Sequence, residues 1–329
     1  DTTGGQQGFG WSRSNEGDAA ELLDRDPLDF FQPGRGIVSP LGRGDAPLWD
    51  LTGKILNEPA WRLLGGYGPE WVPVYDGSIY FSDLQPEYAD RGIPRILEEI
   101  DHSLELGHRA FKIKVGRGFK WMAPEPGLVR DIEVVRAIRA HVGPDVKLMV
   151  DSNNGYDLAT TKRFLEEADI EFFFVEEMFP ESVEEDLELK GWIRSRDWNT
   201  LVADGESASE PEHFTPYIDR VAFDVLQGDM RRFGFTELRD LARTAAPSGI
   251  GLAPHNWGSY LGLYMQLILG RGIPNFVMAE QDPAHTELFD ASDFELREGR
   301  MRVPDTPGCG LALRTERLAD ETLDWELHV

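Results

Sequence analysis

The chain is short of several things, and each shortage removes a class of protein. It holds one cysteine, Cys309, so an intramolecular disulfide and a cysteine-based metal site are both excluded. Basic residues are scarce: 33 Lys and Arg against 59 Asp and Glu give a net charge of −26 over 329 residues. A surface of that sign repels nucleic-acid phosphates and anionic lipid headgroups, which argues against nucleic acid or membrane as a partner. No apolar run approaches the roughly 20 residues of a membrane-crossing helix, and no secretory signal pattern is present, so the expected setting is cytoplasmic. No Gly-x-Gly-x-x-Gly follows an early strand and no Gly-x-x-x-x-Gly-Lys-Ser/Thr occurs, which leaves dinucleotide and P-loop readings without support.

What is present is the composition of a globular protein, 41% hydrophobic and 28% charged, enough apolar residue for a sizeable core. One pattern repeats through the middle of the chain. A short β-branched or aromatic run ends in a polar residue, and a stretch of helical period follows. The runs are Val72–Tyr80, Arg109–Val115, Val146–Ser152, Phe172–Glu177, Thr200–Glu206, Val221–Asp229, Ile250–His255 and Phe276–Glu280. Helical stretches between them include Tyr88–Leu106, Leu128–His141, Leu158–Ala168, Phe235–Ala245 and Leu261–Leu269. Eight such units in succession predict an α/β fold, a closed (β/α)8 TIM barrel, over residues 71–303. Residues 1–70 stand outside the repeat. Their one clear helix, Ala46–Leu64, should be broken at Pro59 and stopped by Gly65-Gly66. With the segment 304–329 they are expected to form a smaller α+β capping domain.

In such a barrel, chemistry collects at the C-terminal ends of the strands. Those ends carry Lys112 and Lys114, Asp151, Glu176, Glu206, Asp229, His255 and Glu280. Taken singly, each acid would be an ordinary solvated loop residue. Asp151, Glu176 and Glu206 end three successive strands, and three anions so close need a hard divalent cation; all-oxygen ligands suit Mg2+ or Mn2+ over Zn2+. Lys112 and Lys114 fall on one face of their strand. Their mutual repulsion, together with the cation, should lower their pKa values, so that Lys114 can act as a base beside a charged Lys112. Asp229 ends the strand before His255 and could fix its tautomer. Asn153, Asn154, Asn256 and Trp257 adjoin the strand ends as candidate substrate contacts.

These residues sit in an ordered set of motifs: Phe111-Lys112-Ile113-Lys114-Val115-Gly116, Val150-Asp151-Ser152-Asn153, Val175-Glu176-Glu177, Asp204-Gly205-Glu206, Gln227-Gly228-Asp229 and Pro254-His255-Asn256. The set, with the helix Leu48–Lys54 and the stretch Arg62–Gly66, resembles the enolase superfamily in its mandelate racemase-like branch. The resemblance implies Mg2+ held by Asp151, Glu176 and Glu206, with Lys114 as base on one face of a small carboxylate substrate. It implies His255, backed by Asp229, as acid/base on the other face, and Glu280 as a hydrogen-bond donor to the developing enediolate. It further implies a lyase that dehydrates an acid sugar to a 2-keto-3-deoxy acid in carbohydrate catabolism, the alternative being an isomerase, a racemase or epimerase of a 2-hydroxy acid. A homo-oligomer, from dimer to octamer, is expected with it. The sequence departs from the branch in two places: Met178 follows the paired glutamates where the branch has Pro, and the opening hairpin of the cap is missing, leaving it N-terminally incomplete. A non-catalytic acid-binding barrel would show the loss of one of these residues, and none is lost. A barrel with a phosphate site would rest on Gly258, Gly270 and Gly272 alone.

Overall fold

A computed structural model of the chain describes residues 1–88 and 90–318, together with Leu327. Eight parallel strands form the centre: β1 (Trp71–Ile79), β2 (Ala110–Lys114), β3 (Lys147–Asp151), β4 (Phe174–Glu176), β5 (Leu201–Asp204), β6 (Val225–Leu226), β7 (Gly251–Leu252) and β8 (Ala279–Gln281). Each lies at or within one residue of an expected run. Neighbours pair in sequence order from β1 to β7. β8 pairs with β1, and a bridge from Leu252 to Phe276 joins β7 to the approach of β8, so the sheet closes.

Helices cover the outside: α3 (Ile93–Leu106), α4 (Pro124–Val142), α5 (Leu158–Ala168), α6 (Val183–Arg194), α7 (Thr215–Arg220), α8 (Met230–Ala245) and α9 (Tyr260–Gly272). Each follows its strand as a right-handed crossover requires. After β8 the pattern changes. The chain there turns through an antiparallel hairpin, β9 (Glu295–Arg297) and β10 (Arg300–Arg302), which extends the sheet from the start of β1. Among the described residues no helix longer than one turn follows β8, so the architecture is (β/α)7β where eight full units were expected. None of the helices is long and apolar enough to cross a membrane.

The Ala46–Leu64 stretch is two helices, α1 (Ala46–Leu56) and α2 (Ala60–Leu64), broken at Pro59 as its fixed φ and missing N–H dictate. The pair docks on the flank of the barrel. Trp49, fully buried, donates its indole N–H to Asp45 and to Thr236 of α8, both at 3.0 Å. Asp45 also accepts the backbone N–H groups of Phe235 and Thr236 at 2.9 Å. That is an N-cap inside α8, and it is needed there because Gly234 (φ 70°) breaks the helix and orphans those donors. The stretch after residue 303 reaches the same two helices: the Cys309 N–H bonds Asp50 at 2.8 Å, and the Trp61 indole bonds the Pro304 carbonyl at 3.1 Å. Beyond residue 318, the expected capping segment lies outside the described residues except for Leu327.

One buried layer fixes where the polar residues go. Tyr75, Ala110, Met149, Phe174, Ala203, Val225, Ala253 and Met278, one from each strand or its immediate edge, form a separate apolar cluster inside the barrel. Bulky and small side chains together fill the ring, so the barrel is plugged rather than hollow. Replacing Phe174 with Ala would remove about 3–5 kcal/mol from this plug.

Candidate active site

Side chains on a strand alternate between its faces, so the residues two positions past this layer must also point inward, one storey higher. Those residues are Gly77, Lys112, Asp151, Glu176, Gly205, Gln227, His255 and Glu280. The apolar plug is thus the floor of a polar layer built on every strand. The two glycines in it make room. A Cβ on Gly77 would lie 2.6 Å from Glu280 Oε1, and Gly205 (φ +112°) turns the chain so that Glu206 follows it at the rim.

The structure brings the sequence-identified residues together. Carboxylate oxygens of Asp151, Glu176 and Glu206 lie within 4.8 Å of one another. Lys112 Nζ, buried, reaches Glu176 at 2.5 Å, Glu280 at 2.8 Å and Asp151 at 3.4 Å. Lys114 Nζ pairs with Asp151. His255 Nδ1 lies 2.8 Å from Asp229, and its Nε2 lies 3.4 Å from Glu206. Glu280 accepts the Asn256 N–H at 2.8 Å, and its own backbone is clamped by Gln266 at 2.8 and 3.0 Å. Upstream, Asp131 accepts the backbone N–H groups of Gly116 and Arg117, which fixes the turn that follows Lys114.

Charges crowded this closely perturb one another. Burial, with Asp151 and Glu280 close by, lifts Glu176 to about 7 against the pull of Lys112. Burial lifts Glu206 to about 9, against the pull of His255. Asp151 goes the other way: burial opposes its charge, but Lys112 and Lys114 hold its carboxyl below the usual range. His255 is pushed up to about 9; burial works against its charge, and the Asp229 bond, Glu280 and Glu206 outweigh it. The expected lowering of the lysine pKa values depends on the cation as well as on their mutual repulsion. Burial disfavours their charge, yet Glu176 and Glu280 hold Lys112 well above its usual value and Asp151 raises Lys114. The carboxylates outweigh the mutual repulsion of the two ammonium groups; a cation that neutralised those carboxylates would release the hold.

These side chains open on a cavity of about 300 Å³. Asn153 and Trp257 line it as expected; Asn154 and Asn256 do not, because Asn154 donates its N–H to the Glu177 carbonyl and Asn256 is buried under Glu280. The cavity has walls that the sequence did not disclose: Arg13, Tyr80, Ser207, Arg231 and Arg232. Gln227, quoted above only within its motif, donates to Glu176 at 2.6 Å. Its place two residues past Val225 was a signal that could have found it.

A second group of carboxylates, Glu177, Glu181 and Asp204, also brings oxygens within 4.8 Å of one another. It does not line the cavity. Glu177 accepts from Asn153 and Ser207 at 3.0 and 3.1 Å, Glu181 lies 2.7 Å from His213, and Asp204 accepts the Gly205 N–H at 2.6 Å. Burial, then Asp186 and Glu181, holds Asp204 well above the carboxylate range.

The profile of a family described as Enolase C-terminal domain-like matches residues 95–317. A galacturonate dehydratase from Geobacillus sp., solved with D-galacturonate and 5-keto-4-deoxy-D-galacturonate, superposes with a TM-score of 0.88 at 34% identity, over 96% of this chain and 85% of that one. An L-talarate dehydratase from Polaromonas sp. JS666, solved with Mg and L-glucarate, gives 0.76 at 28% identity over 97% and 89%. Among curated proteins, the 3,6-anhydro-alpha-L-galactonate cycloisomerase of Streptomyces coelicolor is 29% identical over 88% of this chain and 74% of its own.

Proposed function

Because the chain belongs to the enolase superfamily, with the Enolase C-terminal domain-like family matched over residues 95–317, we propose that it is a Mg2+-dependent lyase that dehydrates an acid sugar to a 2-keto-3-deoxy acid. One observation carries this reading: Lys114 and His255, from well-separated strands, line one cavity with Asp151 and Glu206. The donor set fits the ion. Three carboxylate oxygens within 4.8 Å, with burial lifting Glu176 to about 7 and Glu206 to about 9, form a site that a hard cation would relieve. Mn2+ suits the same donors. When bound, the ion supplies a Lewis acid beside the substrate carboxylate.

The chain's own residues do the rest. Lys114, neutral once Asp151 is neutralised, takes the α-proton on Nζ, and the C–H electron pair becomes the C=C bond of an enediolate. Lys112 and Glu280, 2.8 Å apart, face the charge that builds on the carboxylate oxygens, Lys112 as ammonium and Glu280 through its carboxyl. His255, charged at neutral pH beside Asp229, gives its proton to the β-hydroxyl, which leaves as water; the enol then tautomerises to the 2-keto acid. The apolar plug closes the floor of the cavity, so water does not reach the site from below. In the same reading, residues 1–70 and 304–318 cap barrel residues 71–303, a role supported by Arg13 in the cavity wall.

The two nitrogen bases in one cavity favour a second reading, proton return to the other face. Incubation of acid sugars with Mg2+ in D2O decides between them. The dehydratase reading expects a semicarbazide-reactive 2-keto product; α-deuterium with inverted configuration and no keto product would replace it with the isomerase. Absence of both keto product and α-proton exchange on every acid would refute both.

A further inference from the structure

We propose that the substrate is anionic at both ends, an acid sugar carrying a carboxylate at each terminus (an aldaric acid), and that Arg231 and Arg13 bind the carboxylate remote from the reacting carbon. The inference rests on the function proposed above, in which Asp151, Glu176 and Glu206 would hold the Mg2+ ion that receives the first carboxylate.

Most of the cations around the cavity have a close partner. Lys112 pairs with Glu176 and Glu280, Lys114 with Asp151, and His255 with Asp229. Arg232 donates to the carbonyls of Ser207 and Ala208 at 2.9 and 2.7 Å. Arg231 differs. Its nearest carboxylate oxygen, on Asp229, is 3.9 Å from Nη2, beyond hydrogen-bond length, and its Nε–H is buried with no acceptor. Arg13 lines the same cavity and, among the described residues, takes part in no ion pair.

Trp11 lies 5.3 Å beneath the Arg231 guanidinium and pins it, and the Trp11 indole N–H is likewise buried without an acceptor. A buried donor left unmet is costly, more so when it is charged. A neutral hydroxyl from a cavity ligand would leave the Arg231 charge uncompensated. A carboxylate compensates it, since its two oxygens match the guanidinium fork. The cavity, about 300 Å³, sits at the small end of ligand sites, which suits a short-chain acid. On a surface with a net charge of −26, a dianion gains nothing from long-range attraction, so its recognition has to be local.

The test uses the full chain with Mg2+ and matched six-carbon acids: galactarate and glucarate as diacids, galactonate and gluconate as monoacids, and galacturonate. Diacids are expected to be turned over with kcat/KM about 10- to 100-fold above their monoacid counterparts. Arg231→Gln and Arg13→Gln should each shrink that ratio about tenfold or more through KM, with Arg231→Lys recovering part of it. Arg13 is exposed, so its variant should fold even if the Arg231 variant does not. Monoacids or galacturonate used as well as diacids would overturn the inference while leaving the dehydratase reading intact. So would an Arg231→Gln variant that lowers kcat for both classes and shifts the pH profile, since the arginine would then act on Asp229 and not on substrate. Absence of both keto product and α-proton exchange on every acid would fail the underlying function, and this inference with it.

Discussion

Two groups of three carboxylates lie at neighbouring strand ends and loops of the barrel. Asp151 and Glu206 line the cavity with Glu176 buried beside them; Glu177, Glu181 and Asp204 do not line it. Adjacent residues on a strand face opposite ways, so Glu176 and Glu177 look into different surroundings although they are neighbours in the chain. The inner group meets Lys112, Lys114, His255 and Gln227. The outer group meets amide and hydroxyl donors and one histidine, His213. Equal charge and equal spacing therefore do not make two equal sites. What differs is the set of groups able to move a proton next to the acids.

Four experiments press on that contrast. The largest effect should come from the ion: EDTA is expected to bring turnover below detection and added Mg2+ to restore it, and full activity in metal-free buffer would erase the distinction between the groups. Lys114→Ala and His255→Asn should each reduce kcat by about 10³-fold or more, while calorimetry still finds Mg2+ bound; retained activity in either variant removes that residue from its role. In the outer group, Glu181→Gln should leave kcat/KM within about threefold, because a partly exposed acid away from the cavity contributes little to the transition state. A loss as large as that of Glu176→Gln would make the two groups one functional unit.

The smallest effect is on stability, at Asp186 of α6. Burial, then Glu181, lifts this buried acid to about 7 from an ordinary 3.8. The folded protein therefore holds a proton there that the unfolded chain releases, and stability falls as pH rises from about 4 to about 7. Asp186→Asn removes that term, on the order of a few kcal/mol at most. The Tm advantage of the variant should grow between pH 5 and pH 8; an advantage that is flat with pH would show that Asp186 is ionised in the fold throughout.

Much of the site could be read from the sequence because period-two alternation is a local rule. Once Ala110 and Met149 are placed in the plug, Lys112 and Asp151 must stand above it. The helices were less evenly legible. α5 runs from Leu158 to Ala168 as expected, since Asp157 caps it and its apolar stripe is regular. α6 was not identified: its first turn is Glu184, Glu185 and Asp186, and so many acids blur the stripe. β6 and β7 pair over only two residues each, so their ends could be named from sequence but not their extents. Arg13 and Arg231 were beyond reach. They come from segments more than 200 residues apart, and only the folded chain brings Trp11 beneath Arg231.

The carboxylate of Asp45, seated in the break at Gly234, has a consequence for how the enzyme fails. The turn from Asp229 to Arg232 runs straight into that break, so the brace under the imidazole is anchored partly by a residue outside the barrel. Nicking the backbone ahead of Asp45, or warming until that leading stretch peels away, would slacken the histidine while the sheet stayed closed. Inactivation should then precede melting, with the amide protons of Phe235 and Thr236 exchanging with solvent first.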